Sequence, residues 1–278
     1  MFLVGVVSMW AQVALLRELL TLSSGNELIL GIGLSLWLVL VGFWSWVGGY
    51  LTPKPLRQGV LFALAPFFLL ASLWLLPFIR SGAQLPGEVA GPGRDLIMAI
   101  VALLPSTAFA GLAYALGVLR LDTRQITATY AAETFGAAVA GAVFHFLLVG
   151  LVDSIGLLLI AGALCSGAAI FLFLPYHRVL AVTLPVVLFV VASTSVRSVE
   201  QRRLQAEAPG ERVVHSEPSR YGRLTVVERE GQRSFFHNGV LLFSTDDREA
   251  SEERVHLPLL LHPNPQQILL IGGCLGGA

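Results

Sequence analysis

Gln266-Gln267-Ile268-Leu269-Leu270-Ile271-Gly272-Gly273-Cys274-Leu275-Gly276-Gly277, followed by Ala278, is the stretch that decides the class of the soluble part. A short run of branched aliphatics, bounded by polar residues and ending in glycines, is the pattern of a buried parallel strand that runs into a tight turn. Glycine lets backbone approach a ribose or phosphate, and in open α/β sheets ligands bind beyond the carboxyl ends of the strands. The spacing fits neither G-x-G-x-x-G nor G-x-G-x-G, because Cys274 stands where both put the middle glycine. On the motif alone, a plain glycine turn and a nucleotide-binding turn both stay open. A doubly wound domain needs on the order of 100 further residues. Residues 266–278 are therefore expected to be the first strand and glycine turn of an incomplete Rossmann-like α/β domain, and the chain a fragment.

Working back from that end, composition divides the chain in two. Apolar residues make up 55% and charged residues 13%, and the mean hydropathy is +0.74. Those values are those of a membrane protein. The 18 basic residues balance 18 acidic ones, so no basic surface points to nucleic acid. Charges crowd after Val196, which makes 1–196 a multi-span membrane domain and leaves a polar remainder. Cys165 lies in an apolar run and Cys274 in the glycine turn, without C-x-x-C spacing; neither a disulfide nor a metal site is inferred.

Seven apolar runs approach the ~20 residues that a spanning helix needs: Phe2 to Leu22, Leu28 to Leu51, Val60 to Ile79, Leu96 to Leu119, Ile126 to Val152, Ser154 to Pro175 and Val179 to Val196. The first has no basic residues before it and no small-residue cleavage site, so it reads as a retained helix rather than a signal peptide. Loop charges tie. Lys54, Arg57, Arg120, Arg124 and Arg178 mark one side of the bundle, while Arg80, Arg94, Arg197, Arg202 and Arg203 mark the other. Arg17 and Glu18, and Asn26 and Glu27, sit at span ends and read as interfacial anchors. In the fifth span, Gly136, Ala137, Ala140 and Gly141 give the small-residue pattern of a close helix contact. Glu133, about two turns from a polar loop, is open to a structural hydrogen bond or to a transport or ligand role. His145 is expected to bond a neighbouring helix.

Residues 197–211, rich in Gln, Arg, Glu and Ala and ending in Pro209-Gly210, read as a short helix and linker. From 212 to 265 a small β-meander and a helix are expected. Arg223 to Arg229 is the first strand, Glu230-Gly231-Gln232 turns the chain, and Arg233 to His237 pairs back. Asn238-Gly239 is a strong two-residue hairpin signal that leads into Val240 to Phe243. Asp246 with Glu249 three residues on resembles a capping box, and the helix it starts runs towards His262 before Pro263-Asn264-Pro265 breaks it.

The order Ser219-Arg220-Tyr221-Gly222-Arg223, Asn238-Gly239-Val240, Asp246 through Glu252, His256-Leu257-Pro258-Leu259-Leu260 and Leu269-Leu270-Ile271-Gly272-Gly273 resembles the polyamine aminopropyltransferases, the spermidine synthase family. It is most similar to membrane-bound bacterial members, in which a Trp-rich second span follows segments like Arg17 to Leu20 and Gly25 to Leu28. The resemblance implies transfer of an aminopropyl group from decarboxylated S-adenosylmethionine to putrescine or a similar small-molecule amine, without a metal. It implies a multi-pass protein of the cell (inner) membrane with its soluble part in the cytoplasm, where the donor is, and leaves self-association open. By motif position, Glu252 and His256 match the glutamate and second histidine of Y-H-E-x-x-x-H, and Gly272, Gly273, Gly276 and Gly277 match glycines of G-G-G-D-G-G. These are the expected nucleoside-binding residues; the family's catalytic aspartate has no counterpart up to Ala278, so no catalytic residue is assigned and the chain alone is expected to be inactive.

The departures fall on the amine and nucleoside sites. Gly222 replaces a glutamine, Ala250 and Ser251 replace the tyrosine and histidine of Y-H-E, and Cys274 and Leu275 replace the third glycine and the aspartate of the turn. A retained fold with an altered site follows as readily as retained activity. The alternatives are a methyltransferase-like enzyme using S-adenosylmethionine, and a transport or sensing bundle whose soluble part binds a nucleoside or polyamine without chemistry.

Overall fold

The computed structural model describes residues 1–23, 25–51, 54–81, 91–119, 121–176, 178–196, 212–219, 222–245 and 247–269. Its helices are α1 (Phe2–Leu22), α2 (Leu28–Gly49), α3 (Pro55–Ser81), α4 (Pro92–Val118), α5 (Thr123–Val143), α6 (Ser154–Phe173) and α7 (Arg178–Thr194). Strands β1 (Arg212–Ser219), β2 (Gly222–Arg229), β3 (Gln232–His237) and β4 (Val240–Ser244) and a final helix α8 (Arg248–Leu260) follow. Among the described residues, six helices, α1 to α6, are long and apolar enough to cross a membrane. The seventh expected span forms α7, which has 17 residues and carries Pro185 inside it. The fifth differs from the continuous α-helix expected: Phe144–Leu148 is a π-helical turn, so the α-helical part stops at Val143.

Several helix starts are written in side chains. Asp122 accepts from the Gln125 amide at 2.8 Å and the Gln125 side chain accepts from the Asp122 amide at 3.2 Å, a full capping box for α5. Asp153 caps α6 through the Gly156 amide at 2.8 Å. Each cap satisfies amides that the first helical turn leaves without a partner.

α1 is central to the bundle, packing on α5 and α6 and on α4 and α2, with Val7, Ala14, Leu15 and Leu19 fully buried. Lipid tails are as apolar as leucine, so helices associate through close packing rather than through removal of water. α5 meets α1 in that way, as the small residues predict. Gly136 lies against the Phe2 carbonyl, Gly5 against the Glu133 carbonyl, and Trp10 Nε1 donates to the Ala140 carbonyl at 3.1 Å. These pairings make the two helices parallel, with half-buried Glu133 level with Gly5. Gly111 of α4 likewise meets the α2 backbone, and Ser45 donates to its carbonyl at 3.3 Å. On α2, exposed Phe43, Trp46 and Tyr50 form an aromatic ladder, the first pair tilted at 41° and the second edge-to-face at 90°, a pattern compatible with a membrane–water boundary.

The sheet is a fully antiparallel meander in the order β1-β2-β3-β4. Three strands match expectation, and β1 is an addition. It pairs with β2 over an irregularity between Val213 and His215. Asn238-Gly239 forms the expected hairpin with φ of 52° and 78°, and Glu230-Gly231 forms a second with 51° and 88°. Positive φ at both central residues is the primed turn whose twist matches the strands it joins.

The strand expected at the C-terminal end is not observed where it can be checked. Residues 265–269 have no regular structure, and Ile268 and Leu269 are 65% and 85% exposed. A parallel strand takes its hydrogen bonds from neighbouring strands, and among the described residues none lies beside this segment. Residues 270–278 and the expected linker 197–211 lie outside the described residues.

The α1–α5 contact makes a direct test. Gly136→Leu forces a side chain into the Phe2 backbone and is expected to destabilise the purified chain in detergent by ~1–3 kcal/mol, the usual range for overpacking. Gly42→Ala, where an added carbon meets nothing within 4 Å, is expected to leave thermal unfolding unchanged or slightly raised.

Candidate functional site

Glu252 and His256 lie one turn apart on α8 and are both exposed. Gly272, Gly273, Gly276 and Gly277 lie outside the described residues, as does Asp246 of the expected capping box. The described structure therefore shows Glu252 and His256 on one helix face and does not bring them to a second wall. Ser251, in place of a histidine, bonds the Asp247 carbonyl of its own helix at 3.0 Å.

A polar centre that the sequence reading missed lies in the sheet, around Asn238. Its left-handed backbone turns the amide inward, where Oδ1 accepts from the Arg223 amide at 2.9 Å. The Asn238 amide in turn donates to the Arg223 carbonyl at 3.0 Å. Asn238, Arg223 and Thr225 are 4%, 5% and 6% exposed. Arg223 Nη1 donates to Ser216 Oγ at 3.3 Å, and Ser216 lies 3.3 Å from Thr225 Oγ1, which carries the network onto β1. Gly222 explains one departure from the family pattern. Its φ is +151°, and a Cβ there would collide with the Asn238 side chain, so a glutamine does not fit this backbone.

The same asparagine touches the helical bundle. A Cβ on Gly25, in the α1–α2 loop, would sit 3.4 Å from Asn238 Nδ2. Eight residues earlier, Arg17 donates to the carbonyls of Val152 and Ser219, each at 3.4 Å, and its guanidinium lies 5.7 Å from the centre of the Phe144 ring. Arg17 is thus more than an interfacial anchor: it joins α1, the α5–α6 loop and β1. Beneath it, Ser23 donates to buried Asp95 at 2.9 Å, and Glu18 is buried. His145 departs from expectation, being exposed with its ring edge-on to Phe146 at 4.9 Å. A cleft of about 570 Å³ opens where Arg17, Val152 and Asp153 face Glu217 and Ser219.

Part of this chain is similar to bacterial polyamine aminopropyltransferases. It is 34% identical over 68 residues to polyamine aminopropyltransferase 1 of Bacillus cereus, a match covering 24% of this chain and 25% of the relative. The Bacillus subtilis polyamine aminopropyltransferase is 35% identical over 68 residues with the same coverage. That of Streptococcus pneumoniae is 51% identical over 41 residues, 14% of each chain. The chain thus spans about a quarter of the length of the first two of these relatives. These partial matches support a spermidine synthase-like relationship. No protein-family model matches the chain, and no solved structure matches it.

Two substitutions test the geometry. Gly222→Gln, which introduces the glutamine of the family that the chain resembles, is expected to destabilise the sheet by ~1–3 kcal/mol through backbone strain, read as faster hydrogen exchange at the Arg223 and Asn238 amides. Arg17→Ala is expected to loosen the sheet from the bundle while leaving the helices folded, measured as faster proteolysis near Ser219 with unchanged helical circular dichroism.

Proposed function

We propose that this chain is the membrane-bound part and the adjoining soluble start of an aminopropyltransferase-like protein, which transfers an aminopropyl group from decarboxylated S-adenosylmethionine to an amine. The observation that carries the reading is the 34% identity over 68 residues to a polyamine aminopropyltransferase. The antiparallel meander, with its Asn238-Gly239 hairpin followed by α8, agrees with the order of parts on which the family resemblance rests. Six apolar helices before the sheet support a multi-pass protein of the cell membrane.

The chemistry is a displacement at the carbon next to the sulfonium. The amine nitrogen, in its neutral form, forms the new C–N bond; the C–S bond breaks with its electrons going to sulfur; methylthioadenosine leaves and the nitrogen loses a proton. In-line positioning and a base near the amine are what a protein supplies. In this reading Glu252 and His256 belong to the nucleoside side of the site, and Gly272, Gly273, Gly276 and Gly277 form the turn that lets adenosine approach the backbone. Gly222, Ala250 and Ser251 lack side chains that would orient donor and amine. A positioned hydrogen bond to a charged group contributes ~1.5–3 kcal/mol, so putrescine is expected to be a poor acceptor.

The test is methylthioadenosine release by membranes that overproduce the full-length protein, supplied with decarboxylated S-adenosylmethionine and putrescine; residues 1–278 alone are expected to release none. Release is expected at a catalytic efficiency below ~10⁴ M⁻¹s⁻¹, with a further loss of about tenfold in Glu252→Gln. Methyl transfer from S-adenosylmethionine without methylthioadenosine release would replace this reading by the methyltransferase one. The cytoplasmic placement of the soluble part is tested by reporters fused after Ala278: fluorescence from a cytoplasmic reporter is expected, and alkaline phosphatase activity would reverse the assignment.

A further inference from the structure

The cleft between bundle and sheet contains a mixture of groups that the proposed chemistry does not use. Arg17 supplies one cation, and Asp153 and Glu217 supply two carboxylates. Arg17 gives two hydrogen bonds to the carbonyls of Val152 and Ser219, and a guanidinium carries five N–H donors, so donors remain for a ligand. Asp153 uses Oδ1 to cap α6, and its other oxygen takes no hydrogen bond from the described residues. Glu217, with a side chain 71% exposed, meets His215 through Oε2 at 3.2 Å and has Oε1 to offer.

The position of the cleft matters as much as its charges. It sits at the sheet-side ends of α1 and α6, where spans pass into the soluble part. Leu151 lines it and is 83% exposed, and Phe146 and Leu147, just before the lining loop, are 79% and 62% exposed. A polar cleft bordered by uncovered apolar side chains suits an amphiphile better than a wholly hydrophilic solute.

We propose that this cleft seats the headgroup of a zwitterionic aminophospholipid, with the phosphate on Arg17, the primary ammonium between Asp153 and Glu217, and the acyl chains along Leu151 and the Phe144–Leu148 turn. Each charge then has a partner of opposite sign. An anionic headgroup without an amine would face two carboxylates against one guanidinium. A choline headgroup has no N–H to give them. At about 570 Å³ the cleft is within the size range of small-molecule sites.

The full chain is reconstituted in phosphatidylcholine nanodiscs containing phosphatidylethanolamine, its N-acetylated form or phosphatidylglycerol, then released and weighed intact by native mass spectrometry. One phosphatidylethanolamine is expected to stay bound, preferred about tenfold over the other lipids for each charge-assisted hydrogen bond gained. N-acetylation, which removes the ammonium, is expected to abolish the preference. So is the double substitution Asp153→Asn and Glu217→Gln, in which asparagine keeps the helix cap and Glu217 lies in the open. Equal retention of phosphatidylglycerol or of the N-acetylated lipid would overturn the proposal, as would full retention by a folded double variant. Displacement by free phosphoethanolamine as effective as by the lipid would assign the site to a soluble ligand instead. Because the lipid arms use the unaltered chain, a double variant that failed to fold would leave the proposal open to refutation.

Discussion

The guanidinium of Arg17 ties the two halves of this chain together. It stands near the end of an apolar helix, and its hydrogen bonds reach a carbonyl 135 residues away in the α5–α6 loop and one 202 residues away on β1. At 3.4 Å these are long bonds, but the donor is charged and planar and presents two of its nitrogens in a fixed fork. The Phe144 ring, 5.7 Å from it, adds a cation–π contact. With Arg17 placed, the α1–α2 loop brings Gly25 to Asn238, and the orientation of the meander relative to the bundle follows.

Within the bundle the governing constraint is how closely backbones approach. α1 and α5 meet where Gly5 and Gly136 present no side chain, so carbonyl groups of each helix lie where a Cβ would otherwise stand. This arrangement replaces the oily stripe of a water-soluble helix. α1 is buried on several sides while α2 and α5 show much of their surface to the outside, and both kinds are apolar, as helices able to cross a membrane are. Some hydroxyls inside are paired: Thr107 bonds the carbonyls of Leu103 and Leu104 in its own helix, and Ser72 meets Ser106 across α3 and α4.

The spans were legible because the bilayer asks for one simple property over about 20 residues, and the ends of α1 and the start of α6 fall where the apolar runs begin or end. The Asn238-Gly239 hairpin was legible for a local reason, the positive φ that this pair tolerates. β1 was not, because His215-Ser216-Glu217-Pro218 has neither alternation nor β-branched residues, and its strand character comes from pairing with β2. The π turn at Phe144 gave no signal in composition. Least legible was the polar centre around Asn238: sequence shows a turn residue, and only the fold shows its side chain holding Arg223 and excluding any residue but glycine at 222. Glu252 and His256, expected site residues from the motif, lie exposed on α8 with no second wall beside them among the described residues.

The capping box of α5 has a consequence for local order. From Thr123 to Ala128 every residue of that helix is exposed, so its first turns gain little from packing and stand on local hydrogen bonds, Thr127 to the Thr123 carbonyl among them. Short helices without packing are marginal in water, and the reciprocal Asp122–Gln125 pair acts there as the latch against unwinding. The entrance to α5 is thus a segment whose persistence is decided by two side chains, next to a helix body whose persistence is decided by its neighbours.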